Sequence, residues 1–183
     1  MASHPHFSTQ EPSDWVLRFA ALIPARADVL DLACGGGRHA RWLAANGFNV
    51  LAADRDRQAL DALDGLAGLS TLCTDLEQGE WPWSGAVFDA AVVTRYLYRP
   101  RLDRLAELLK PGGLLIYETF MDGNARFGKP SNPDFLLRPH ELLDWVRGWG
   151  SVLAFEQGEI ASPVPAMMQR VCAVKSAHLP LLP

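Results

Sequence analysis

The sequence has few of the features that mark extracellular or metal-binding proteins. Its 183 residues contain three cysteines, Cys34, Cys73 and Cys172, and no pair of them has the C-x-x-C spacing. Scattered cysteines argue against a disulfide framework or a zinc site and favour a reducing cytoplasm. The five histidines form no cluster with ligand spacing, so no metal is expected.

Long apolar runs and a strong excess of charge are also missing. No apolar stretch approaches the ~20 residues that span a bilayer, and MASHPHFSTQEPS lacks the pattern of a signal peptide. The formal net charge of −4 offers no broad attraction to nucleic acid or to an anionic membrane. We therefore expect a cytoplasmic protein, monomeric or homodimeric, whose partner is neither nucleic acid nor membrane.

The chain length predicts a single domain. A chain of 183 residues can bury enough surface to fold without disulfides or structural metals. Residues 1–12 are polar and contain proline and serine, which predicts a flexible N-terminal arm. Residues 13–183 are expected to form the domain.

Apolar runs alternate with amphipathic segments over the first two thirds of the chain. The runs cover residues 29–32, 48–53, 69–73, 88–93 and 114–119. Near-continuous apolar strands separated by helices indicate a parallel sheet covered on both faces. The predicted fold is α/β, with a doubly wound, mostly parallel sheet.

The pattern changes after residue 120. Residues 121–139 are rich in glycine and proline without an apolar period, which predicts a long loop of the kind that is often functional. A helix is predicted over 139–149, and another over 100–110 that should end at the Pro-Gly-Gly segment. The last two strands, SVLAFEQG and QRVCAVKSA, have no helix between them and predict an antiparallel pair at one sheet edge.

The segment VLDLACGGGRHARWLA, residues 29–44, predicts a strand, a glycine-rich turn and a helix. Open α/β sheets place ligands at the carboxyl ends of their strands, and glycines let a ligand approach the backbone. The helix that follows directs free N–H groups at the ligand. Asp54, which closes the second run, is placed to hydrogen-bond a ribose. Alone, the pattern also fits a dinucleotide site or a simple strand-to-helix turn.

Two further carboxylates argue against a dinucleotide. Asp31 precedes the glycines and would repel a pyrophosphate, whereas it suits a cationic ammonium group. Asp75 follows the third run and suits an amino group such as that of adenine. The sequence shows no Tyr-x-x-x-Lys set for hydride transfer. A nucleoside with a cationic and an anionic end fits these residues, and S-adenosylmethionine is such a molecule.

The chain resembles class I S-adenosylmethionine-dependent methyltransferases. VLDLACGGGRHARWLAANGFNVLAAD is similar to their hydrophobic-D-x-G-x-G-x-G signature, and TDLE, FDAAVV and LKPGGLLIYE resemble later segments in the right order. The resemblance covers residues 28–175 and is closest to small stand-alone enzymes of the tellurite-resistance type, which act on small or soft nucleophiles. Ala33 stands at the first signature glycine, and Gly36 replaces a common threonine.

The resemblance implies a seven-stranded Rossmann-like sheet with a C-terminal antiparallel strand. It places the turn at the methionine end of the cofactor, Asp54 at the ribose and Asp75 with Leu76 at the adenine. The implied cofactor-binding residues are Asp31, Ala33, Cys34, Gly35, Gly37, Arg38, Asp54, Arg55, Asp75, Leu76 and Thr94. Arg95 and Tyr96, directly after the fourth strand, are the candidate catalytic residues.

The expected function is methyl transfer to a small molecule, with a thiol or a chalcogen oxyanion as the soft nucleophile. Such an in-line displacement can gain ~7–11 kcal/mol from proximity and orientation, so a general base is not essential. Three alternatives remain at this stage: transfer to RNA or protein, a module that binds the cofactor without catalysis, and a dinucleotide oxidoreductase.

Overall fold

The computed structural model describes residues 11–85 and 87–176. Most of the predicted arm, residues 1–10, and the last residues, 177–183, lie outside the described part. The helices are α1 (Asp14–Ala20), α2 (Arg38–Ala45), α3 (Arg57–Asp61), α4 (Leu102–Leu108) and α5 (Glu141–Arg147). The strands are β1 (Asp28–Leu32), β2 (Asn49–Asp54), β3 (Leu69–Cys73), β4 (Phe88–Thr94), β5 (Leu109–Phe120), β6 (Ser151–Ile160) and β7 (Ala166–Val174).

The seven strands form one sheet with the order β3-β2-β1-β4-β5-β7-β6. Strands β1 to β5 are parallel to their neighbours, and β7 runs antiparallel to both β5 and β6. Asp31 of β1 lies between Ala52 of β2 and Val92 of β4. The chain order reverses between β1 and β4, and such a switch point opens a crevice at the carboxyl ends of the strands. The predicted sheet and its antiparallel C-terminal strand are confirmed.

Both faces of the sheet are covered, as the apolar strands predict. Ala90 and Val92 of β4 belong to the core under α1 and α2, and Ala91 and Val93 belong to the core under α4 and α5. We call these the α1/α2 face and the α4/α5 face. Successive side chains of a strand point to opposite faces, so Ala90 and Val92 of β4 join one core and Ala91 and Val93 join the other.

The helix predicted over 100–110 is wrong at its C-terminal end. Helix α4 ends at Leu108, and the Pro-Gly-Gly segment lies inside β5. The Lys110 ammonium lies 3.0 Å from the Asp89 carboxylate of β4, and a Cβ on Gly113 would lie 2.8 Å from the Lys110 carbonyl oxygen. The helix ends earlier than predicted because Leu109 already pairs with Phe88 of β4 and Pro111 disfavours a helical conformation at Lys110.

The helix predicted over 139–149 is also too long. Helix α5 covers Glu141–Arg147. His140 has a φ of 63° and donates its N–H to Gln157 Oε1 at 2.9 Å, so its left-handed backbone lies outside the helix.

The long loop predicted over 121–139 contains two short 3₁₀ turns and is tied to β7. Asn124 is buried, donates from Nδ2 to the Pro130 carbonyl oxygen at 3.0 Å, and accepts from the Met167 N–H at 3.0 Å. The buried amide of one side chain thus holds the loop to the start of β7.

Candidate active site

The turn between β1 and α2 is ordered by bonds within the protein. The Cys34 N–H donates to the Ala53 carbonyl oxygen at 3.1 Å, and the Gly37 N–H donates to the Cys34 carbonyl oxygen at 2.9 Å. Ala33 has a φ of 54°, a left-handed conformation that non-glycine residues adopt infrequently. This explains why the family signature has glycine there, and it shows that the turn forms with alanine.

The glycines of the turn have different physical roles. Gly37 has a φ of 70°, and a Cβ there would lie 2.5 Å from Leu63 Cδ1. Gly35 is also left-handed, at 53°, but a Cβ at Gly35 or Gly36 would have no heavy atom within 4 Å. Gly37 therefore serves packing, whereas the other two leave open space beside the turn for a ligand.

Asp31 is a buried acid with one free oxygen. It is 1% exposed, its Oδ2 accepts the Ala40 N–H at 2.9 Å, and its Oδ1 has no hydrogen-bond partner among the described residues. Burial raises the pKa of Asp31 to about 7, although the Ala40 N–H and Arg38 act in the opposite direction. A buried carboxylate oxygen without a partner is costly, so the site favours a bound cation.

Asp54 connects the end of β2 to the turn. Its Oδ2 accepts the Gly35 N–H at 2.8 Å, and its Oδ1 accepts the Asp56 N–H at 2.9 Å. A carboxylate offers about four lone-pair sites, so each oxygen can accept one more hydrogen bond. Arg55 is exposed, and its carbonyl oxygen accepts a long contact from the Cys73 thiol at 3.6 Å.

Asp75 organises the segment after β3. Its Oδ1 accepts the N–H groups of Glu77 and Gln78 at 2.8 and 3.1 Å. Leu76 is buried beside it. The Asp75 side chain therefore shapes its own turn, and its other oxygen is available to a ligand.

Arg101, which the sequence analysis missed, holds the same segment from the side of α4. Its guanidinium donates to the carbonyl oxygens of Leu76 and Gly79 at 3.0 and 2.6 Å and lies 5.7 Å from the Trp81 ring centroid. We call residues 75–79 the adenine-side turn, after the role that the resemblance implies for Asp75 and Leu76. An arginine at the start of a helix gives no local signal of such a contact, because its partners lie more than 20 residues earlier.

The two candidate catalytic residues face different surroundings. Arg95 has a φ of 54°, and its guanidinium carbon lies 6.0 Å from the Phe120 ring centroid. Tyr96 packs against the core of the α4/α5 face, where burial and then the charge of Glu77 raise the pKa of its hydroxyl. The structure therefore places Arg95 towards β5 and Tyr96 towards the adenine-side turn.

Arg38 opens α2 beside Arg95. Its guanidinium donates to the Glu11 carbonyl oxygen at 3.2 Å. Burial and then the nearby charge of Arg95 lower its pKa, while Glu118 and Asp31 act in the opposite direction. Two guanidiniums thus share the region between the glycine turn and the end of β4.

A row of polar side chains crosses the carboxyl end of the sheet, and sequence reasoning missed most of it. Thr94, Glu118, Arg170 and Glu156 are register partners across β4, β5, β7 and β6. Arg170 Nε lies 3.0 Å from Glu118 Oε2 in a largely buried ion pair. Charged residues at alternate positions of otherwise apolar strands are the signal that could have revealed this row.

His39 is a second residue that the sequence analysis missed. It is 1% exposed and lies next to Arg38 in the first turn of α2. The Ser13 N–H donates to its Nε2 at 3.2 Å, and its Nδ1 lies 3.4 Å from Thr94 Oγ1. Burial, together with Arg38 and Arg95, lowers the pKa of His39 to about 3.

The described residues contain neither a metal-binding cluster nor a membrane-spanning helix. Within residues 11–85 and 87–176, no group of three or more His, Cys, Asp or Glu side chains could hold a metal ion. No helix of the same part of the chain is long and apolar enough to cross a membrane.

The sheet order, the glycine turn and the acids near the carboxyl ends of β1, β2 and β3 define an α/β protein of the class I methyltransferase type. The family model described as "Methyltransferase domain" matches residues 4–163. The chain belongs to this family and is a methyltransferase whose cofactor is S-adenosylmethionine, as predicted. No curated protein matches the chain at a significant level.

Solved structures share the fold at low sequence identity. TehB from Haemophilus influenzae has a TM-score of 0.71 and 22% identity over 93% of this chain, which spans only 64% of TehB. A TehB-like S-adenosylmethionine-dependent methyltransferase from Corynebacterium glutamicum has a TM-score of 0.65 and 19% identity, covering 88% of this chain and 86% of its own. The [4+2]-cyclase SpnF has a TM-score of 0.70 and 17% identity, and the match covers 90% of this chain and 79% of SpnF.

Proposed function

We propose that this methyltransferase acts on a small molecule with a soft, anionic nucleophile, such as a thiolate or a chalcogen oxyanion. S-adenosylmethionine supplies a methyl group that its sulfonium already activates. The task of the protein is therefore to hold donor and acceptor in line and to exclude water.

The donor site is proposed from one observation above all, the partnerless Oδ1 of buried Asp31. A cationic α-ammonium at this oxygen would supply the missing partner and keep Asp31 ionised. Asp54 would accept from ribose hydroxyls while it holds Gly35. The other predicted contacts, from Ala33, Cys34, Gly37, Arg38, Arg55, Asp75, Leu76 and Thr94, remain part of the proposal.

The side chains around the turn support a soft acceptor. His39 has a pKa near 3, burial raises the pKa of the Cys34 thiol, and the Glu118 carboxylate is paired with Arg170. Neither His39 nor Cys34 is therefore poised to remove a proton near neutral pH. A thiolate or an oxyanion needs no strong base, so this environment suits it.

The cationic groups support an anionic acceptor. Arg95 lies close enough to Arg38 for its charge to lower the Arg38 pKa, and Arg170, which is paired with Glu118, lies two strands further along the sheet. A cleft lined by guanidiniums attracts anions and concentrates them at the reacting centre. Of the two candidate catalytic residues, Arg95 is proposed to bind the acceptor and Tyr96 to wall the cleft beside the adenine-side turn.

Radiolabelled methyl transfer tests this function. The purified chain is incubated with S-adenosyl-[methyl-³H]methionine and, in turn, 2-mercaptoethanol, dithiothreitol, selenite and tellurite. We expect a labelled small product, lost in Asp31→Asn and retained in Asp61→Asn, an exposed acid on α3. Label that appears only in added RNA or protein would contradict the proposal.

A further inference from the structure

His39 occupies a bridge between three parts of the chain. It belongs to α2, its Nε2 accepts from the backbone of Ser13 before α1, and its Nδ1 faces Thr94 at the end of β4. A backbone N–H can only donate, so Nε2 must be the unprotonated nitrogen of the ring. In a neutral imidazole the proton is then on Nδ1.

The surroundings keep this imidazole neutral. It is 1% exposed, and the charged groups that face it are the guanidiniums of Arg38 and Arg95. Burial and two positive neighbours both oppose a second proton on the ring. The Nδ1–H tautomer is therefore the form present at neutral pH.

The tautomer determines the direction of the Thr94 hydroxyl. Since Nδ1–H donates, Thr94 Oγ1 accepts at 3.4 Å, and its own proton must point elsewhere. Within the part of the chain that the structure describes, Oγ1 has no second hydrogen-bond partner. Thr94 is half-buried at the carboxyl end of β4, in register with Glu118 of β5.

We propose that His39 is a positioning residue that turns the Thr94 hydroxyl towards the methyl acceptor, and that this hydroxyl donates a hydrogen bond to the acceptor's anionic sulfur or oxygen. This inference rests on the proposed function, and it assigns a hydrogen-bond donor, the Thr94 hydroxyl, to the acceptor site. After Thr94 Oγ1 accepts from His39, its own proton is free to be donated, so a sulfur or oxygen anion with a lone pair is a suitable partner opposite it.

The tautomer can be measured without any acceptor. Long-range ¹H–¹⁵N spectra of the protein saturated with S-adenosylhomocysteine should show one histidine with a protonated Nδ1 and an unprotonated Nε2 from pH 5 to 8. The signals should be absent from His39→Phe. A protonated Nε2, or titration of His39 near pH 6.5, would overturn the inference.

The hydroxyl is tested by Thr94→Val and Thr94→Ser with the thiol and oxyanion probes named above. Loss of a hydrogen bond to a charged group should lower kcat/KM for the acceptor by about tenfold or more in Thr94→Val, and Thr94→Ser should recover most of it. Thr94→Val made in the His39→Phe background should cost much less, because the hydroxyl is no longer oriented. Thr71→Val, on β3, is the matched control.

The outcomes separate the two proposals. The dissociation constant of S-adenosylhomocysteine, measured by calorimetry on each variant, reports whether the donor site is intact. Equal turnover by Thr94→Val and Thr94→Ser in an active enzyme overturns this inference alone. A wild type that forms no product with any probe overturns the proposed function and this inference with it.

Discussion

Asp31 of β1 and His39 of α2 are buried side chains whose protonation affects stability in opposite directions. Burial raises the pKa of Asp31 to about 7 and lowers that of His39 to about 3, and in both cases the neutral form is favoured. The folded protein thus holds a proton on Asp31 that the unfolded chain releases, so stability falls as pH rises from about 4 to about 7. His39 acts oppositely, and its contribution to stability rises with pH between about 3 and about 6.5.

Asp31→Asn should stabilise the unliganded protein and weaken cofactor binding. The Asn oxygen can still accept the Ala40 N–H, and the buried negative charge at pH 8 is removed. We expect a higher Tm at pH 8, a much smaller change at pH 5, and at least about a tenfold weaker affinity for S-adenosylmethionine. Thermal denaturation at both pH values and calorimetric titration measure this. Asp61→Asn should change neither, and a lower Tm for Asp31→Asn at pH 8 would contradict the prediction.

Alanine substitutions at Gly36 and Gly37 form a matched pair, because only the one at Gly37 would contact a neighbouring side chain. Gly37→Ala places a Cβ 2.5 Å from Leu63 in a left-handed conformation and should lower the free energy of unfolding by at least about 1–2 kcal/mol. Gly36→Ala meets open space, so it should leave stability nearly unchanged and weaken cofactor binding. Urea denaturation and titration with S-adenosylhomocysteine separate the two effects. Equal stability losses would show that Gly37 has no special packing role.

At the scale of elements, the adenine-side turn depends on α4. Arg101 bridges two carbonyl oxygens of the turn, while Asp75 caps it from within. The helix start and the turn therefore form one unit, although they come from different parts of the chain. A ligand that contacts the turn benefits from this pre-organisation.

Arg101→Gln should weaken binding without unfolding the protein. Losing the two bonds to the turn should raise the dissociation constant of S-adenosylhomocysteine by about fivefold, or about 1 kcal/mol. The Tm of the unliganded protein should change little. Arg104→Gln, which removes an exposed pair with Glu107 on the same helix, is the control. The same affinity in both variants would show that the turn does not need Arg101.

At the scale of the whole molecule, the polar residues gather at one edge. The net charge is −4, yet Arg38, Arg95 and Arg170 lie at the carboxyl end of the sheet, with Asp31 and Glu118 among them. Helices cover both faces of the sheet. The glycine turn and the long loop therefore meet the strands at the carboxyl ends of β1, β4 and β5. Local charge, more than net charge, therefore determines what the cleft attracts.

Ligand binding should stabilise the whole fold. S-adenosylhomocysteine at 100 times its dissociation constant should add about 2.7 kcal/mol, which raises the Tm of a domain of this size by about 5–11 °C. NADH at the same concentration should give no shift. A shift with NADH and none with S-adenosylhomocysteine would favour a dinucleotide site. Differential scanning fluorimetry measures both.

The sequence alone determined the layers and the cofactor side of the cleft. The nearly continuous apolar run of β4 indicates a strand covered on both faces. Asp31, Asp54 and Asp75 are recognisable because each lies at or near the carboxyl end of an apolar run. Parallel strands bring their carboxyl ends to one edge, so chain position suffices to group these acids. The apolar runs and the acids near their ends are local in the sequence, so they can be recognised without knowledge of the tertiary packing.

Only the tertiary structure decided the acceptor side. Consecutive residues Arg95 and Tyr96 diverge because Arg95 adopts a left-handed backbone, which no local pattern indicates. His39 contacts Ser13 and Thr94, which lie 26 and 55 residues away in the sequence. Glu118 of β5 pairs with Arg170 of the neighbouring strand β7. Such contacts depend on sheet order and register, and these arise from the packing of the whole chain.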